Sequence, residues 1–136
     1  MESNYYLALS SLSFIAPSIV SYKTSNYDVS VLCAIVSLVS LSYHITKNPH
    51  LLYIDYPLNQ ITHIVTLYRI FPGGWLSIPA YSVWLFYIIF VYYYGYLTTS
   101  LIWNPDLNAA TPWHMTLHLS TALTTSYTIY ATSKIV

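Results

Sequence analysis

The residues of this chain best able to do chemistry are its five histidines, His44, His50, His63, His114 and His118, and one acid, Asp55. His114 and His118 are four apart, so on a helix both rings stand on one face and can share a metal ion. Asp55 is the one carboxylate well inside an apolar segment. Ionisable groups in such places are costly and mark function by default. Asp55 lies six residues past Pro49, beyond the first turn in which a helix N-terminus would favour an acid. Ser40 precedes His44 by four residues and shares its face. Three neutral imidazoles make an open tetrahedral zinc site whose fourth position takes water. A carboxylate beside that water can accept its proton and pass it to a leaving group, and a nearby hydroxyl can steady the oxyanion or the water. That set is complete for hydrolysis of an amide or ester.

The elements that must position these groups are membrane helices. Of 136 residues, 56% are hydrophobic and 6% charged, whereas soluble domains carry roughly 25% charge. About 20 apolar residues cross a bilayer, and five spans are expected, over about residues 5–22, 29–46, 51–70, 75–103 and 112–133. Breakers separate them: Lys47-Asn48-Pro49 after the second, Pro72-Gly73-Gly74 after the third, Asn104-Pro105-Asp106 after the fourth. Asn48-Pro49 and Thr111-Pro112 each predict an N-cap followed by proline at the first helical position. The fourth segment is long enough to tilt or kink near Pro79. The fold class expected is therefore all-α, a polytopic transmembrane bundle forming a single domain over residues 1–136. The run Tyr92-Tyr93-Tyr94 with Tyr96 reads as an interfacial aromatic belt.

With five spans, the short turns place His44, Asp55, His114 and His118 within roughly 10 Å of the face that holds the N-terminus, at 1.5 Å rise per residue. Zinc ligation by His44, His114 and His118 requires their ring nitrogens to lie within about 4 Å of one another. Lys23, Arg69 and Lys134 fall on the opposite face and Lys47 alone on the N-terminal one, which favours a cytosolic C-terminus. Localisation in a membrane, an endomembrane by preference, is expected. MESNYYLAL lacks a basic n-region, so the first segment reads as a retained helix. Zero net charge without a basic run argues against nucleic acid as a partner. Cys33 is the sole cysteine, which excludes an intrachain disulfide and a CxxC zinc site.

The pattern Ser40-x-x-x-His44, Asp55 eleven residues later, and His114-x-x-x-His118 on the last helix resembles the CREST superfamily of membrane hydrolases. That superfamily holds alkaline ceramidases, factors that remodel GPI anchors, and progestin and adipoQ receptors. The gap and Asp55-Tyr56 look more like the ceramidase and GPI-remodelling branches. The resemblance implies zinc on His44, His114 and His118, a water oriented by Asp55, and a site steadied by Ser40. It covers about Ser40 to Tyr56 and Trp113 to Leu119. Family members have seven spans, so this chain is a shortened version. The family also often places Trp just before its second motif histidine, whereas Trp113 precedes the first here.

The function expected first is a zinc-dependent hydrolase cleaving an amide or ester bond of a membrane lipid, with ceramide-like substrates favoured. A second reading is a structural or receptor-like membrane protein that keeps the zinc site without turnover. A third is a bis-histidine haem protein. A di-iron carboxylate centre is disfavoured because Glu2 is the sole glutamate. A second copy or a helper membrane subunit could supply the absent helices. His50 reads as a turn residue, and His63 as a polar contact between helices.

Overall fold

The computed structural model describes residues 2–134, and among these residues it holds helices and their connecting turns with no strand. Helices α1 (Glu2–Ser11) and α2 (Ile15–Lys23) form one rod, joined by a 3-10 turn at Leu12–Phe14. Pro17 accounts for the break, because its ring would crowd the Ser13 carbonyl in a continuous α-helix. Helix α3 (Tyr27–Thr46) ends on Lys47 in the left-handed region, at φ 56°. Helix α4 (Pro49–Ile70) starts as expected: Asn48 Oδ1 accepts the His50 N–H at 3.0 Å, and Pro49 is the first helical residue.

Helix α5 (Gly74–Ile89) runs through a π turn at Phe90–Tyr94 into α6 (Gly95–Thr98). This element stops at Thr98 rather than near residue 103, because Thr99 turns left-handed at φ 48° and the chain folds back. The irregular turn lies at Phe90–Tyr94, eleven residues beyond Pro79. Helix α7 (Leu107–Ser133) begins five residues before Pro112, which sits inside the helix. Its cap is Asp106, whose Oδ1 accepts the Asn108 N–H at 2.9 Å, and not Thr111. The Thr111 hydroxyl instead donates to the Leu107 carbonyl one turn back at 2.7 Å. Proline at position 112 costs α7 one ladder bond, which the longer helix tolerates.

The α1–α2 rod packs between α3 and α7, α4 packs on α3, and α5 packs on α7. Helices α4 and α5, although consecutive in the chain, touch each other only sparsely, which leaves a gap between them. The contacts between helices combine an apolar cluster of Val29, Cys33, Ile70, Tyr81, Trp84 and Ile129 with many small hydroxylic residues. Ser37 Oγ donates to the Ser11 carbonyl at 3.0 Å, and Ser77 Oγ lies 2.6 Å from Thr132 Oγ1. Small side chains of this kind let helix backbones come close. Large apolar side chains point outward: Ile64 is 68% exposed, Leu123 71% and Phe86 74%. A soluble helix turns most such residues inward, so this surface is rich in apolar side chains although a buried apolar core is also present. Helix α3 and the stretch Ser77–Thr98 are long and apolar enough to cross a membrane.

The fold-back after α6 depends on Gly95. A Cβ there would meet the Ser100 carbonyl oxygen at 3.0 Å and both Leu101 and Trp103 at 3.3 Å. Replacing Gly95 by Val should therefore destabilise the bundle by about 1–3 kcal/mol through overpacking. Thermal unfolding in detergent checks this, and an unchanged midpoint would show that the turn at residues 99–103 yields freely.

Candidate metal centre

Two helices deliver three imidazoles to one point. His44 stands two residues before the end of α3, and His114 and His118 stand seven and eleven residues into α7. Because α7 starts early, His114 and His118 lie roughly 10 and 16 Å along it, against roughly 3 Å from the end of α3 for His44. Helix α7 therefore projects past α3 on this face, and the rings still meet. The ring centroids are 5.1 Å apart for His44 and His114, 5.5 Å for His44 and His118, and 4.9 Å for His114 and His118. One ring nitrogen from each lies within 4.8 Å of the others.

This spacing is wider than the 4 Å expected from the sequence. Nitrogens bonded to one ion at 2.0–2.1 Å in a tetrahedron lie about 3.4 Å apart, so gripping a cation requires side-chain rotations of about an ångström. The cluster could hold a metal ion. His44 and His118 are buried, and His44 Nδ1 has no hydrogen-bond partner among the described residues. A sealed polar atom without a partner costs about 1–3 kcal/mol. A cation would satisfy such a nitrogen, and neutral imidazole is a common ligand type for it. The residues fit a metal on this ground.

The cluster forms part of the wall of a cavity of about 210 Å³ at the gap between α4 and α5. Asp55, Asn59 and His63 line it from α4, Trp84 from α5 and Tyr92 from the π turn that follows. Asp55 thus shares a cavity with the three histidines while standing outside their cluster. Asn59 Nδ2 donates to Asp55 Oδ1 at 3.1 Å and to the Asp55 carbonyl at 2.9 Å, which fixes the carboxylate. Ser40 is buried one turn below His44, accepts a hydrogen bond from Ser11 Oγ at 3.1 Å, and lies outside the described lining of the cavity. Lys47 Nζ stands 5.4 Å from the ring centre of Tyr43, one of the lining residues, and partial burial lowers the lysine pKa.

No family model, curated protein or solved structure matches this chain. The reading of the site therefore rests on its own geometry.

Two histidines lie apart from the cluster. His50 is exposed in the first turn of α4 rather than in the loop before it. His63 packs on Trp84 with ring centroids 4.6 Å apart, and its carbonyl accepts from the Tyr81 hydroxyl at 3.3 Å. Sequence reasoning missed Asn59 and Ser10. Asn59 was legible, because Asp55-x-x-x-Asn59 is the spacing of helical neighbours. Ser10 Oγ lies 2.8 Å from His118 Nδ1, and nothing local in the sequence marks a contact between residues so far apart.

Purified protein titrated with zinc should bind about one equivalent per chain through a three-histidine site. His118→Ala should abolish that binding, and His50→Ala should leave it intact. Equal binding by the wild type and His118→Ala would exclude the cluster as the site.

Proposed function

We propose that this chain is a multi-pass membrane protein of five spans and a zinc-dependent hydrolase of lipid amides or esters, with ceramide-like substrates favoured. The observation that carries this reading is the meeting of His44, His114 and His118 in the wall of a cavity that also holds Asp55. The residue pattern resembles the CREST superfamily, and the membership proposed here rests on that pattern.

The apolar surface supports the membrane reading, since exposed Ile64, Phe86 and Leu123 suit hydrocarbon better than water. When bound, zinc would polarise a carbonyl and draw the pKa of water toward neutrality. The chain's own residues would do the rest. Asp55, held through Oδ1 by Asn59, keeps Oδ2 available to take a proton from the attacking water and return it to the departing amine or alcohol. The products are a carboxylic acid and that amine or alcohol, so the reaction is a balanced hydrolysis. At about 210 Å³ the cavity is smaller than the roughly 300–1,000 Å³ clefts that enclose drug-sized ligands. It would take the polar linkage, with the acyl chains lying along the apolar helix faces outside. The gap between α4 and α5 gives a lipid lateral access to it.

One observation favours the non-catalytic zinc reading: Ser40 bonds to Ser11 outside the cavity lining, which leaves Asp55 without the expected hydroxyl beside it. The haem reading fits the packing poorly. Three rings with centroids 4.9–5.5 Å apart leave no slot for a macrocycle between two of them.

Fatty-acid release from ceramide in detergent micelles separates these readings. The hydrolase reading expects release by the zinc-loaded wild type and a loss of at least about 100-fold in Asp55→Asn, the lower range for a general base, with zinc content retained. Zinc binding without release of fatty acid from ceramide or from ester lipids would leave the non-catalytic reading standing.

A further inference from the structure

We propose that Ser10 is a positioning residue that fixes the tautomer of His118, holding the proton on Nδ1 and presenting Nε2 to the cluster. The inference rests on the metal reading of the three histidines and adds a fourth residue, on a helix that contributes no ligand.

The argument is one of counting protons. Ser10 is buried, and its hydroxyl has a single hydrogen. Ser10 Oγ donates to the Leu7 carbonyl at 2.8 Å, one turn back in α1. The same oxygen lies 2.8 Å from His118 Nδ1. With its hydrogen spent on Leu7, Ser10 can only accept from the imidazole, so Nδ1 carries the proton. Neutral imidazole has one N–H and one lone pair, and the lone pair then falls on Nε2. A ligating histidine normally donates its other ring N–H to an oxygen in this way, which orients the ring and raises its basicity.

The neighbouring serine touches none of the three histidines and serves as the comparison. Ser11 Oγ lies 3.0 Å from the Leu7 carbonyl oxygen and 3.1 Å from Ser40 Oγ, one turn below His44. Adjacent hydroxyls on α1 thus reach α7 through Ser10 and α3 through Ser11, the two helices that carry the imidazoles. Phe14, one turn further along, packs on the His118 ring at 5.6 Å between centroids and limits its rotation.

The test reads the tautomer directly and the metal affinity separately. Nitrogen-15 spectra of histidine-labelled, metal-free protein at neutral pH, with His118 assigned by the signal lost in His118→Ala, should show the Nδ1–H form. Ser10→Ala should remove that preference and weaken zinc binding about 10- to 100-fold in a chelator competition. Ser11→Ala, which spares the bond to His118, should bind zinc as the wild type does. An Nε2–H tautomer in the wild type, or an equal loss of affinity in both serine variants, would overturn the proposal. The expected tautomer in a wild-type chain that takes up no zinc would uphold the Ser10 bond and sink the hydrolase reading instead.

Discussion

A buried imidazole nitrogen must be met by a hydrogen-bond partner or by a cation, and this structure sets three such rings against one another. His118 has Ser10 on one nitrogen, whereas His44 Nδ1 is sealed without a partner among the described residues. Burying polar groups unpaired is unfavourable in any apolar surrounding. The arrangement is physically economical only if something satisfies the rings together. An ion of small radius, held at about 2.1 Å, needs less room than a water molecule and suits a cluster whose nitrogens lie within 4.8 Å.

The rest of the bundle follows from keeping that cluster in place. In a bilayer, interhelical packing lacks a hydrophobic driving force and relies on close contact and hydrogen bonds. On the proposed membrane reading, the Ser and Thr residues between helices would meet that need, from Ser11 and Ser37 on α1 and α3 to Ser77 and Thr132 on α5 and α7. Trp84 adds a longer bond, its Nε1 donating to Thr121 Oγ1 at 3.2 Å across α5 and α7. The weak approach of α4 to α5 is the exception, and the cavity with Asp55 lies there. Tight packing around the histidines and loose packing beside the acid are what lipid hydrolysis at this site would require.

Much of this was legible in the residues. The HxxxH spacing puts two rings side by side because a helix turns once in about four residues, Asn48-Pro49 was a true cap, and His44 and Asp55, on either side of it, line one cavity. Thr111-Pro112 carried the same pattern and was not a cap. Asp106, five residues upstream, offered a better acceptor for a free N–H, and the helix accepts the one ladder bond that Pro112 removes. That error moved the start of α7 and with it the apparent depth of His118. The fold-back at residues 99–103 was hidden because it depends on left-handed Thr99 and Leu101, residue types that rarely adopt φ above zero. Ser10 and the withdrawal of Ser40 from the cavity were not legible at all. Both depend on which way α1 faces, and α1 mixes polar and apolar residues around its circumference without a periodicity that fixes it.

X-ray absorption at the zinc edge of the loaded protein tests the central claim most directly. Three imidazole nitrogens and one light oxygen ligand at about 2.0–2.1 Å, with no sulfur in the shell, is the result this account predicts. A shell with fewer than three imidazoles, or one containing the Cys33 sulfur, would contradict it.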